Sequence, residues 1–251
     1  MALEVVLGSS WLGNVNVVLT DFERTLIRLF EDPAHEARFF KEVKELCEKR
    51  GVPKRVQKAA GGSPYSLWTR AHRWMTKGGR DPLHAERMYH AATRIAIKYE
   101  MEAAESVRLF DDVPPVLERL KIARIPVVIV SNNGTDAVER ILKENNVEGL
   151  VDHVIGREFH HRMIGTLKPK PNLVVEALKR SNSDPGAALL VGDSVDDMKA
   201  GKAAGIRLRV GVLEHSTATR WQLRRAGARV VLQRFGDLLP LVPGDKVSAV
   251  R

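Results

Sequence analysis

The chain has 251 residues, a single cysteine and a formal charge of +9. That length suits one large domain, or a domain carrying an insert; one cysteine excludes an internal disulfide and points to a reducing, cytoplasmic setting. No apolar run is long enough for a membrane span, the N-terminal MALEVVLGSSWLG lacks the basic segment of a signal peptide, and the positive balance favours anionic partners without naming them.

The first predicted element is a β-branched strand, Asn14–Thr20, running into Asp21-Phe22-Glu23-Arg24-Thr25. Alternate residues of an extended chain share a face, so Asp21 and Glu23 are expected to look into one site. A lone acid pair at a strand end is ordinarily solvated surface, so the meaning of this pair depends on what else gathers there.

Residues 31–108 read as helix: His35–Lys49, Pro64–Lys77 and Pro82–Met101. They are taken as a helical insert, the core being 1–30 and 109–251. From Gly51 to Arg80 no acid occurs, whereas Lys54, Arg55, Lys58, Arg70, Arg73, Lys77 and Arg80 do, interleaved with Tyr65, Trp68 and Trp74. One reading is a solvated basic face over an aromatic core. A second is a surface that closes over the site and recognises an anionic or aromatic leaving group. A third, nucleic-acid contact, has no motif behind it. Cys47, in a charged helix, is expected to be structural.

Beyond residue 109 strands and helices alternate. The strand runs are Ile125–Ser131, Val151–Gly156, Ala187–Gly192, Arg207–Val212 and Ala228–Gln233; the helical patterns are Pro114–Arg124, Thr135–Asn146, Asn172–Asn182, Asp196–Ala204 and Thr217–Ala226. Near-continuous apolar strands alternating with helices predict an α/β fold: a doubly wound, Rossmann-like parallel sheet. Such sheets bind ligands beyond the carboxyl ends of their strands. There the chain places Asp21 and Glu23, then Ser131-Asn132-Asn133-Gly134, then Gly192-Asp193-Ser194-Val195-Asp196-Asp197, with Lys168 in a prolyl stretch just before a helix.

Each piece has a plain explanation: a turn for Ser131–Gly134, a surface lysine, a capping box for Ser194 and Asp197. Those explanations do not account for the common location. If the pieces converge, Asp21, Asp193 and Asp197 surround one point and repel one another unless a cation sits among them. All-oxygen ligands suit Mg²⁺. Lys168, Ser131 and main-chain N–H groups then make a cradle for a phosphoryl group. His160-His161 is not read as a metal site, because adjacent residues point apart.

In order, DFERTL, SNNG, the KPKP stretch and GDSVDDMKAGKAAG resemble the four motifs of the haloacid dehalogenase superfamily, from about Asn14 to Leu241. The helical insert matches the position of the C1 cap in the phosphatase branch that includes phosphoglycolate phosphatases. The resemblance implies Mg²⁺-dependent hydrolysis of a small anionic phosphorylated metabolite, and capped members usually exclude macromolecules. Asp21 would be the nucleophile and Glu23 the general acid and base. Ser131, Asn132 and Lys168 would hold the phosphoryl oxygens. Asp21, the Glu23 carbonyl and Asp193 would bind the metal, with Asp197 acting through water or by orienting Lys168. Two positions depart from the family pattern. Glu23 stands where Asp is usual, as in the enolase-phosphatases, and argues for phosphate esters over carbon–halogen substrates. Arg24 stands where Gly is usual, and it either stiffens the turn or reaches towards an anionic substrate. A phosphomutase and a catalytically weak binding protein using its basic cap remain as alternatives.

Overall fold

The computed structural model describes residues 14–59, 63–77, 82–158 and 166–243. Among them lie the strands β1 (Val17–Thr20), β2 (Val127–Gly134), β3 (His153–Arg157), β4 (Ala188–Gly192), β5 (Leu208–Val212) and β6 (Val230–Leu232). They form one sheet in the order β3-β2-β1-β4-β5-β6, and every neighbouring pair is parallel. β1 and β4 are buried along their whole length. Strands covered on both sides need unbroken apolar runs, and VVLT and ALLVG supply them.

In sequence β1 is followed by α1 (Pro33–Lys49), α2 (Lys54–Lys58), α3 (Pro64–Thr76) and α4 (Pro82–Ala103). Then α5 (Val113–Ile122), α6 (Thr135–Glu144), α7 (Asn172–Arg180), α8 (Val195–Ala203) and α9 (Arg220–Ala226) alternate with the remaining strands. The helices flanking the sheet bury one stripe each, for example Val113, Val116, Leu117 and Leu120 of α5. That spacing is the apolar face of a 3.6-residue period. The chain divides into two units: one holds the chain up to Arg28, Arg108–Arg157 and the chain from Thr166, the other Leu29–Val107.

The second unit is helix on helix. Phe39, Val43 and Cys47 of α1 and Leu67, Ala71 and Met75 of α3 repeat at every fourth residue and share one buried cluster with Trp68, Met88 and Tyr89. Caps fix the starts: Asp32 accepts from the Ala34 N–H at 2.8 Å and Ser63 from the Ser66 N–H at 3.3 Å, each followed by a proline at the first helical position. Lys54, Arg55, Lys58, Arg70, Arg73 and Lys77 are exposed, Trp68 is buried, and Tyr65 and Trp74 are half-buried against the cluster. Arg80 and His160-His161 lie outside the described residues. Burial, and secondarily Glu48, pushes the Cys47 thiol up to about 12, so it is an inert packing group.

Three differences from expectation have local causes. α2 is one short turn, too brief for a periodic signal, and is tied by the Gln57 amide donating to the Val52 carbonyl at 2.8 Å. Phe235–Leu241 is a 3₁₀ segment despite Pro240, held by Asp237 accepting from the Gln233 and Arg234 N–H groups. β2 does not turn at Ser131 but continues to Gly134, with a register shift against β3 between Val130 and Gly134. No described helix is long and apolar enough to cross a membrane.

Candidate active site

β1 ends at Thr20, so Asp21 and Glu23 sit on the turn that follows rather than on the strand. Asp21 stays aligned with the sheet because its N–H donates to the Val191 carbonyl at 2.9 Å, and its side chain is buried. Phe22 is fully buried and anchors the turn, its carbonyl accepting from the Leu26 N–H at 2.9 Å. Arg24 has φ +63°. That left-handed conformation costs a residue with a Cβ about 1–2 kcal/mol. Glu23 is about one-quarter exposed, and its Oε1 lies 3.8 Å from Arg24 Nε.

The end of β2 is a knot of short bonds. Ser131 Oγ donates to Asn133 Oδ1 at 2.9 Å and accepts from the Asn133 N–H at 3.1 Å. Asn132 clasps the Lys168 main chain at two points. Its Oδ1 accepts from the Lys168 N–H at 2.9 Å, and its Nδ2 donates to the Lys168 carbonyl at 3.2 Å. The Asn132 side chain is therefore committed to placing Lys168, which leaves its main chain for any contact with a phosphoryl group.

That clasp carries Lys168 into the centre of the cluster. Its Nζ donates to Asp21 Oδ1 at 2.5 Å, to Asp197 Oδ1 at 2.6 Å and to the Val130 carbonyl at 2.8 Å, so all three ammonium protons are used. Asp197 comes from the first turn of α8. Ser194 caps that helix, accepting from the Asp197 N–H at 3.2 Å, while Asp197 Oδ2 accepts from the Ser194 N–H at 3.0 Å and Ser194 Oγ at 2.6 Å. The capping box and the cluster thus use the same carboxylate, one oxygen each. Gly192 makes room: a Cβ there would stand 2.6 Å from Asp197 Cγ.

Asp193 is the odd member. It is 4% exposed, and no group among the described residues donates to its carboxylate. Ser216 Oγ donates to its main-chain carbonyl at 2.5 Å instead. One carboxylate oxygen each from Asp21, Asp193 and Asp197 falls within 4.8 Å of the others. Burial, then Asp21 and Asp197, pushes the Asp193 carboxyl up to about 9. Burial and Asp197 push Asp21 up to about 6 although Lys168 opposes them. Burial works against the Lys168 charge, but Asp197 and Asp21 outweigh it and hold the ammonium above its ordinary range.

With all three carboxylates ionised, one ammonium would leave two negative charges uncompensated in a buried site, which is why Asp193 keeps its proton to higher pH. A divalent cation with oxygen ligands closes that balance. Asp193, buried without a donor, is the carboxylate most open to it; Asp21 Oδ2 accepts only a long bond from the Thr25 hydroxyl at 3.4 Å, whereas both Asp197 oxygens accept short ones.

Sequence reasoning missed two residues. Arg157, 1% exposed at the end of β3, donates through Nη1 to the Asn132 carbonyl at 2.6 Å. Its signal was position alone: an arginine closing a parallel strand, where binding groups collect. Ser216, in the loop after β5, left no mark beyond following a strand.

The description "haloacid dehalogenase-like hydrolase" belongs to the family model that matches residues 15–205. A phosphoglycolate phosphatase of Aquifex aeolicus is 28% identical over 238 residues, covering 93% of this chain and 100% of that protein. A D-glycero-beta-D-manno-heptose-1,7-bisphosphate 7-phosphatase of Mesorhizobium japonicum is 31% identical over 173 residues, covering 58% of this chain and 78% of its own length. Among solved structures, CbbY of Rhodobacter sphaeroides in complex with xylulose-(1,5)bisphosphate aligns with a TM-score of 0.61 at 19% identity, covering 92% of this chain and 100% of that one. A hydrolase of Pseudomonas syringae aligns at 0.63 with 21% identity, over 89% and 96% respectively. At these identities the structural likenesses bear on the fold.

Proposed function

This chain belongs to the haloacid dehalogenase-like hydrolases and is a phosphoric monoester hydrolase, and from that premise we propose Mg²⁺-dependent hydrolysis of a small phosphate monoester through an aspartyl-phosphate on Asp21. The observation that carries the reading is the buried cluster of Asp21, Asp193 and Asp197 around the Lys168 ammonium.

At neutral pH an Asp21 carboxyl titrating about 6 is ionised and able to attack phosphorus. Its oxygen forms the new P–O bond as the ester P–O bond breaks, and the leaving alkoxide takes a proton from Glu23. Glu23 then accepts a proton from a water that attacks the phosphorus of the acyl phosphate, releasing inorganic phosphate and restoring Asp21. Lys168, on exchanging one of its three present acceptors, and the Ser131 hydroxyl, on turning from Asn133 Oδ1, would hold the non-bridging oxygens, while Asn132 holds the Lys168 main chain and Asp197 orients its ammonium. Asp21, the Glu23 carbonyl and Asp193 would hold Mg²⁺, which when bound would supply charge stabilisation for the transferring group. Relatives are named for phosphoglycolate and for a heptose bisphosphate, small esters whose leaving alcohols carry a second charged group. A metabolite of that kind is the proposed substrate, and the buried, inert Cys47 fits a reducing cytoplasm.

Phosphate release from p-nitrophenyl phosphate and phosphoglycolate, with and without Mg²⁺, tests this. Turnover should need Mg²⁺ and vanish in Asp21→Asn. Glu23→Gln should lose more, by about a hundredfold, on the alkyl ester, whose leaving group needs the proton. Mg²⁺-independent release, or an active Asp21→Asn, sinks the mechanism; recovery of an isomerised phosphate ester instead of inorganic phosphate points to a mutase.

A further inference from the structure

We infer that Arg24 selects substrates whose leaving alcohol carries a second anionic group, a carboxylate or another phosphate. The inference rests on the phosphatase reading above and adds the residue that selects its substrate.

The first observation is backbone cost. Arg24 occupies φ +63°, where glycine sits without strain. The turn that forces this is made of main-chain bonds: Arg24 N–H to the Ile27 carbonyl at 2.6 Å and Leu26 N–H to the Phe22 carbonyl at 2.9 Å. Glycine would make the same bonds. The conformation therefore gives no reason for a side chain, and strain at a site is retained where the side chain is used.

The second observation is that the guanidinium is not consumed by the fold. Its Nε lies 3.8 Å from Glu23 Oε1, beyond hydrogen-bond reach, with the side chain 35% exposed. Among the described residues no other acceptor takes it up. A planar fork of N–H donors is thus available for a carboxylate or phosphate. Third, Arg24 belongs to the site: it lies on the same turn as Asp21, three residues on, and the Phe22 carbonyl between them closes that turn by accepting from the Leu26 N–H at 2.9 Å. It also directly follows Glu23, the residue that meets the leaving oxygen in the proposed reaction, and so stands on the leaving-group side.

Matched ester pairs test the inference. One pair is phosphoglycolate and the phosphate ester of glycolamide, alike in shape but differing in the carboxylate. The other is a hexose 1,6-bisphosphate and the hexose 1-phosphate. Wild type should favour the charged member of at least one pair by about tenfold or more in kcat/KM, the range of a charge-assisted hydrogen bond; which pair responds tells carboxylate from phosphate. Arg24→Gln should bring that ratio close to one, whereas Arg24→Lys, which keeps both the charge and the left-handed strain, should retain most of it. A wild-type ratio near one in both pairs, or a ratio that survives in Arg24→Gln, overturns the inference while leaving the phosphatase reading standing. Absence of Mg²⁺-dependent release from every ester, p-nitrophenyl phosphate included, overturns both.

Discussion

Two buried acids show how differently the two units treat charge. Glu100, in the helical unit, is fully buried and accepts the Tyr65 hydroxyl at 2.6 Å. Asp193, in the sheet unit, is buried almost as deeply, yet no described residue donates to it and two other carboxylates stand within reach. The first acid is satisfied by the fold that buries it; the second destabilises the fold, and the proposed Mg²⁺ would complete it. The same contrast runs through the neighbours. The helical unit keeps Phe39, Trp68 and Met88 inside and its lysines and arginines in water, whereas the sheet unit buries Lys168, Arg157 and Asp197. A charge buried against its solvation cost, in a place the sheet does not need it, marks function more reliably than exposure does.

The largest expected effect separates activity from stability. Asp21→Asn should lower turnover by about a thousandfold or more, because an amide cannot form the acyl phosphate. The same change removes one of three like charges, so the metal-free melting temperature should hold or rise. A large drop in melting temperature would mean that Asp21 supports the fold as Glu100 does.

Asp193→Asn comes next. It should abolish the rise in melting temperature that Mg²⁺ gives the wild type, a rise expected to reach several degrees at saturating metal. By contrast, Glu100→Gln should cost about 1 kcal/mol of stability, by weakening one buried hydrogen bond, and leave the Mg²⁺-induced rise intact. Scanning calorimetry of both variants with and without Mg²⁺ checks the pair. An undiminished Mg²⁺ response in Asp193→Asn would remove Asp193 from the metal site.

Much of this contrast is legible in the sequence. Strand-end placement brought Asp21, Asp193 and Asp197 to notice, because a parallel sheet gathers its carboxyl ends and apolar runs mark those ends plainly. The structure brings Lys168 to the same place. What could not be read was how the side chains divide the work. Nothing in SNNG says that the Asn132 amide faces the Lys168 main chain, since that bond spans 36 positions. The apolar run did not show where the strand stops: β1 ends at Thr20, so Asp21 and Glu23 lie on the turn beyond it, with Phe22 buried between them. Arg157 stayed invisible because arginine is ordinarily a surface residue.

A smaller and graded effect is the pH dependence of the metal response. In the unfolded chain Asp193 sheds its proton near the ordinary carboxylate value of 3.8; in the metal-free fold it holds the proton up to about 9. A raised carboxyl pKa means that the stability from this group is complete at low pH and is lost as pH climbs through that window. Mg²⁺ needs the ionised form, so protons compete with it at the acid end. The gap in melting temperature between Mg²⁺-loaded and metal-free protein should therefore widen steadily from pH 5 to pH 8. A gap that narrows with rising pH would show that the buried carboxyl does not titrate against the metal.

The smallest effect is the most discriminating, because it sets two positions of one site against each other. Gly192 is a glycine by necessity: any Cβ would press on Asp197, and Gly192→Ala should loosen the Lys168–Asp197 contact. Arg24 is the reverse, a side chain where the backbone at φ +63° favours glycine. Arg24→Gly relieves about 1–2 kcal/mol of left-handed strain and gives back about 0.5–1 kcal/mol through the greater freedom of the unfolded chain. The balance predicts a gain of up to about 1.5 kcal/mol, each kcal/mol raising the melting temperature by roughly 2–4 °C for a chain of this size. Calorimetry of the metal-free protein reads it directly. A rise, set beside reduced preference for doubly anionic esters, means stability is being given up for recognition at this position. A fall means the arginine holds the turn through its own packing, and the site would then resemble the helical unit, where buried and half-buried groups serve the fold.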